Sequence, residues 1–196
     1  ENNTVTFHDG AVVTLSGNAG NHRLAVDDGA EVTITLNNFT AILAAESWSS
    51  TITLNGSASA TIILAEGTTN NLTAGRESSA IRVPQDATLT ITGSGTLNAG
   101  IENGNSLAAS AVIGSQYAQS YGDIYILGGT INFDFNTTSY NRNCAAIGTG
   151  IWGTEGTDNG IIVISNATLD CGGLNIGGIN QSQYSNVIID NATVNN

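Results

Sequence analysis

The sequence predicts an all-β chain wound as a right-handed parallel β-helix, a β-solenoid of about six coils. Three observations lead there. Ile164 to Asp170 reads ISNATLD, and at Ile189 to Asn195 the chain repeats itself as IDNATVN; further copies of strand, turn and strand stand at 91–98 (ITGSGTLN) and 126–133 (ILGGTINF). A second motif runs ahead of these: Ala80-Ile81-Arg82-Val83, Ala111-Val112-Ile113-Gly114, Ala145-Ala146-Ile147-Gly148 and Leu174-Asn175-Ile176-Gly177. Counted from Leu24 through Ile52, Ile81, Val112 and Ala146 to Asn175, the steps are 28, 29, 31, 34 and 29 residues. A period near 30 with short alternating strands and no helical pattern marks a solenoid. A β-sandwich would explain the alternation but not the recurrence of motif pairs.

Each element follows from that frame. Val32 and Ile34, Leu89 and Ile91, Ile124 and Ile126, Ile162 and Ile164, and Val187 and Ile189 alternate with residues such as Thr, Tyr and Val, so each set forms an inward aliphatic stack. Asn166 and Asn191 occupy the bend between two strands and are expected to stack as an Asn ladder, with Gly128 in that place one coil earlier. Eight Asn-x-Ser/Thr sequons (at Asn2, Asn38, Asn55, Asn71, Asn136, Asn166, Asn180 and Asn191) are the by-product of left-handed turn residues followed by Thr-rich strands.

Composition bounds the function. The 196 residues are read as one domain, 1–196, with 40% hydrophobic residues to bury. The cations are Arg23, Arg76, Arg82 and Arg142 against 16 acids, a net charge of -12. Such a chain has no basic stripe for phosphates, so no nucleic acid is expected as a partner, and with no long apolar run no membrane insertion is expected either. Cys144 and Cys171 sit ahead of corresponding positions in adjacent coils, as a disulfide or as two buried thiols.

The pattern AAIGTG…GIIVISNATLDCGG, with its partner AVIGSQ…GDIYILGGTINF, resembles the repeats of secreted bacterial surface proteins with right-handed parallel β-helices. TITLNGSASATIILAEGTTNNLTAG resembles the start of bacterial carbohydrate-binding β-helix domains of the pectate-lyase-like superfamily. The resemblance implies a secreted or cell-surface module that binds or adheres to polysaccharide or another glycan, with calcium as the cofactor. The alternative it implies is a polysaccharide lyase or hydrolase. No arginine matches a lyase base, so no catalytic residue is carried over.

Three loops between the Ile-Gly motif and the next strand leave one corner: SQYAQSYGD (115–123), TGIWGTEGTDNG (149–160) and GINQSQYSN (178–186). They bring Tyr117, Tyr121, Trp152 and Tyr184 to one edge as candidate sugar-binding rings. Asp123, Glu155 and Asp158 are the candidate calcium ligands, since calcium takes six to eight oxygens. The competing reading is that the rings close the loops and the acids form a solvated edge. Ice binding through Thr33 and Thr35, or Thr88, Thr90 and Thr92, does not persist into coils where Tyr125, Val163 and Ile188 take the outward places.

Those outward residues, with Leu127 and Ile161, form an apolar strip that 134–143 is long enough to cover. The last strand carries no polar cap, so the expectation is a piece of a longer secreted chain, with an adjacent domain or a second copy on the terminal coil.

Overall fold

The computed structural model describes residues 3–44, 47–102, 110–136, 144–150, 159–178 and 186–196; all statements concern these. Every described element is a strand, and every ladder between named strands is parallel. The chain is a parallel β-helix.

Its levels follow in chain order. The first holds β1 (Thr4–Phe7) and β2 (Val12–Asn18), the second β3 (Arg23–Val26) and β4 (Glu31–Ile42). The third holds β5 (Ile52–Leu54), β6 (Ser59–Leu64) and β7 (Thr69–Ala74), the fourth β8 (Ile81–Arg82), β9 (Thr88–Gly93) and β10 (Thr96–Glu102). Then come β11 (Ile113–Gly114), β12 (Asp123–Ile126) and β13 (Thr130–Asn136), and β14 (Ala145–Gly148), β15 (Ile162–Ser165) and β16 (Thr168–Asp170). The last level holds β17 (Asn175–Gly177), β18 (Val187–Asp190) and β19 (Thr193–Asn195).

The first face is the seven-stranded sheet β1-β3-β5-β8-β11-β14-β17. The other strands form one twelve-stranded sheet folded into two faces, with β4 at the fold. Residues 31–36 of β4 pair with β6 on the second face, and 40–42 pair with β7 on the third. The turn between them is a bulge. Ser16 and Gly17 of β2 face Asn37 and Phe39, which leaves Asn38 unpaired with φ 53°. Asparagine tolerates that left-handed conformation, and the extra residue bends the strand toward the next face. Asn166 and Asn191 turn the chain in the same way, at φ 54° and 48°, and Asn191 Nδ2 donates to Asn166 Oδ1, as the ladder reading expected.

The core is built of stacked aliphatics. Ile34, Ile62, Ile91, Ile126 and Ile164 stand in one register column and are all fully buried. At parallel spacing each contacts its neighbour above and below, the close packing that makes such columns stabilising. Val187 and Ile189 extend the columns on the last level, where Ile189 is 50% exposed.

The structure corrects the sequence reading in the register of the first face. The first-face column runs Val5, Leu24, Ile52, Ile81, Ile113, Ile147, Ile176, one residue beyond Val112, Ala146 and Asn175. Ala111, Val112 and Ile113 are all buried, so no alternation marks which one points inward. The face has seven strands, because Val5 on β1 precedes Leu24, where the sequence count began. Tyr125, Val163 and Ile188 stand outward in one column; of the segment read as covering them, 134–136 continue β13 on the third face and 137–143 lie outside the described residues. Cys144 and Cys171 are both buried, with no disulfide between them.

Candidate ligand-binding site

The third face carries a motif that the sequence reading placed on the second strand of each repeat without following it from coil to coil: Thr-x-Asn or Thr-x-Asp at 69–71, 96–98, 130–132, 168–170 and 193–195. Register stacks it. Thr69, Thr96, Thr130, Thr168 and Thr193 form one outward column. Thr40, Asn71, Asn98, Asn132, Asp170 and Asn195 form the next, two positions along each strand. Period two places both columns on the outer surface, with Leu97, Ile131 and Leu169 pointing inward between them.

The amides lock together along the axis. Asn71 Nδ2 donates to Thr40 Oγ1 at 3.1 Å, Asn98 Nδ2 to Asn71 Oδ1 at 2.9 Å, and Asn132 Nδ2 to Asn98 Oδ1 at 2.9 Å. Each link spends one N–H of a donor that has two and one lone pair of an acceptor that has two, so every amide keeps bonding capacity toward solvent. Beside the column lies an open groove of about 510 Å3. Thr73, Gly100 and Asp134 line it in register, and Ile42 and Gly172 close it on either side. Gly100 keeps the floor low: a Cβ there would lie 2.8 Å from Asp134 O.

Of the four rings of the predicted aromatic edge, Tyr117 and Tyr121 lie among the described residues. Tyr117 is 53% exposed on the segment after β11. Tyr121 is not a surface ring. It is 0% exposed inside the core, its backbone bridges Pro84, and burial pushes its pKa up to about 12. Its hydroxyl has no partner among the described residues. Trp152 and Tyr184 lie outside the described residues. Of the calcium candidates, Asp123 Oδ1 accepts the Ile161 N–H at 3.0 Å, a structural bond between levels, while Glu155 and Asp158 lie outside the described residues. Among the described residues no three His, Cys, Asp or Glu come together.

A second exposed aromatic, which sequence reading missed, is Trp48 at 61% exposure. It stands between β4 and β5 and lines a recess on the first face with Arg23 and Arg82. Fold and surface together define a class: a parallel β-helix scaffold with ordered polar columns on an outer face. Comparison with protein-family models, curated proteins and solved structures finds no match.

Proposed function

We propose that the chain is a non-catalytic carbohydrate-binding module, acting outside the cell as a secreted or surface part of a bacterial protein. An extended polysaccharide lies along the third face, parallel to the axis. One observation supports this reading above the others: the Asn71, Asn98, Asn132 column offers amides at one fixed spacing beside an open groove. Parallel strands repeat at roughly 4.8 Å, a spacing close to the length of one pyranose unit, so successive sugars meet equivalent amides. The scaffold holds these groups before binding, which spares the ordering cost that loops would carry.

Among the described residues the groove carries no arginine, lysine or histidine to take a proton from a sugar, so binding is preferred to the lyase reading; a hydrolase would have to use its two acids, Asp134 and Asp170. Ice binding gains a Thr column from the third face, but a lattice needs a flat surface and the groove breaks it.

Affinity electrophoresis and pull-down on a panel of soluble and insoluble polysaccharides test the reading. At least one neutral polysaccharide retains the protein, and Asn98→Ala with Asn132→Ala weakens retention five-fold or more. Retention by none of them, or equal retention of the folded double variant, overturns it. Reducing-end release from the same panel would favour the enzyme.

A further inference from the structure

In a chain with 16 acids and four cations, a guanidinium without a carboxylate needs explaining. Two such groups line one recess. Arg23 on β3 and Arg82 on β8 border a cavity of about 300 Å3 on the outer surface of the first face. Both are held by neutral groups: Arg23 Nη1 donates to Ser49 Oγ at 3.0 Å, and Arg82 Nη2 to Gln119 Oε1 at 3.2 Å. Among the described residues the ion pairs are His8 with Asp27 and Arg76 with Glu77, so neither Arg23 nor Arg82 is neutralised. Arg82 Nε is buried with no hydrogen-bond partner among those residues. A half-buried cation without a counter-charge is costly, and an anion would supply both the charge and the missing acceptor.

The recess has an apolar component as well. The Arg76 guanidinium carbon lies 4.7 Å from the Trp48 ring centroid, a cation–π contact that steadies the indole while leaving it largely exposed. Gly75 lets this segment approach: its N–H donates to Ser49 O at 3.1 Å, and a Cβ at 75 would lie 1.8 Å from Ser47 O. Thr53 and Gln116 add neutral hydrogen-bonding groups to the lining.

We propose that this recess binds a tetrahedral oxyanion carried on a sugar, a sulfate or phosphate ester held by Arg23 and Arg82 with the sugar ring against Trp48. The two arginines stand two levels apart, roughly 10 Å along the axis. Three terminal oxygens on one centre can accept from donors arriving along several directions, whereas the two oxygens of a planar carboxylate suit a single fork. The exposed indole and the hydroxyl and amide lining select a sugar as the carrier rather than a bare ion. This site lies on a different face from the Asn groove and rests on separate observations.

Calorimetry and thermal unfolding of the whole chain with N-acetylglucosamine 6-sulfate, its 6-phosphate, unmodified N-acetylglucosamine and glucuronic acid test the proposal. One or both esters bind at least ten-fold more tightly than the last two and raise Tm, with affinity falling as salt rises; which ester binds more tightly identifies the source. Arg23→Gln and Arg82→Gln each weaken ester binding about ten-fold, and Arg82→Lys, which keeps charge without the fork, lies between. Equal binding of the neutral sugar or of glucuronic acid, or no ester binding, overturns the proposal on the wild-type chain alone. Unchanged affinity in the folded Gln variants overturns the assignment to these arginines.

Discussion

The side-chain oxygen of Asn70 accepts the backbone N–H of Phe39 at 2.9 Å, inside the core and at 0% exposure of the asparagine. Its column otherwise reads Leu97, Ile131, Leu169 and Val194. Asn70 Nδ2 also donates to Thr68 Oγ1 and Thr96 O, both at 3.2 Å. The amide thus serves the Phe39 N–H where β4 bends around Asn38. Asn70→Leu restores the apolar column yet orphans the Phe39 N–H, so it should cost about 2–4 kcal/mol. Urea unfolding measures this; an unchanged midpoint would show that the bend needs no internal partner.

Gly75 has an ordinary backbone conformation, so its requirement is space. Gly75→Ala pushes Ser47 away and should lower stability by about 2 kcal/mol or more, since backbone rather than a flexible side-chain tip must move. The same shift displaces Trp48 from Arg76. A change in tryptophan fluorescence together with a lower Tm is the expected pair; a lower Tm with an unaltered spectrum would uncouple Gly75 from the indole.

Asn98 sits in the middle of the amide ladder, donating to Asn71 and accepting from Asn132. Asn98→Ala removes both links, yet the site is partly open to water, so a stability loss of only about 1 kcal/mol is expected. Asn98→Asp keeps the acceptor toward Asn132 but sets a carboxylate against Asn71 Oδ1, which should weaken binding of neutral glycans at least as much as alanine does. If the aspartate variant binds as the wild type does, the amides are not the recognising groups.

The solenoid was legible in the sequence because stacked parallel strands share one inward pattern, and Ile91, Ile126 and Ile164 each kept the same phase relative to the turn that follows. The first-face register was not, because Ala145, Ala146 and Ile147 are apolar and buried alike. The third face was legible only as the second strand of each repeat: that Thr96 to Asn98 belongs to polar columns shows once the register sets five copies in line. Tyr121 misled because a loop has no period, and composition alone does not separate a ring that closes a loop from one that faces solvent. Arg82 did carry a signal. It stands where the other motif copies have Gly114, Gly148 and Gly177, whose φ values of 134°, 121° and 98° favour glycine.

Two buried acids set the response to alkali. Burial, and then the neighbouring Asp170 carboxylate, raise the Cys171 thiol from its ordinary 9.0 to about 11, and burial raises the Tyr121 phenol from 10.0 to about 12. In both cases the folded chain holds its proton more tightly than the unfolded chain does. The unfolded state therefore releases protons first as pH rises, and stability falls. The Cys171 contribution is complete below pH 9.0 and is lost as pH climbs toward about 11; that of Tyr121 is lost between 10.0 and about 12. Tm should hold steady from neutral pH to about 9 and then decline, with the Cys171→Ala variant declining less steeply between 9 and 11 whatever its starting Tm. Superimposable slopes for the two proteins across that window would place the alkaline loss elsewhere in the chain.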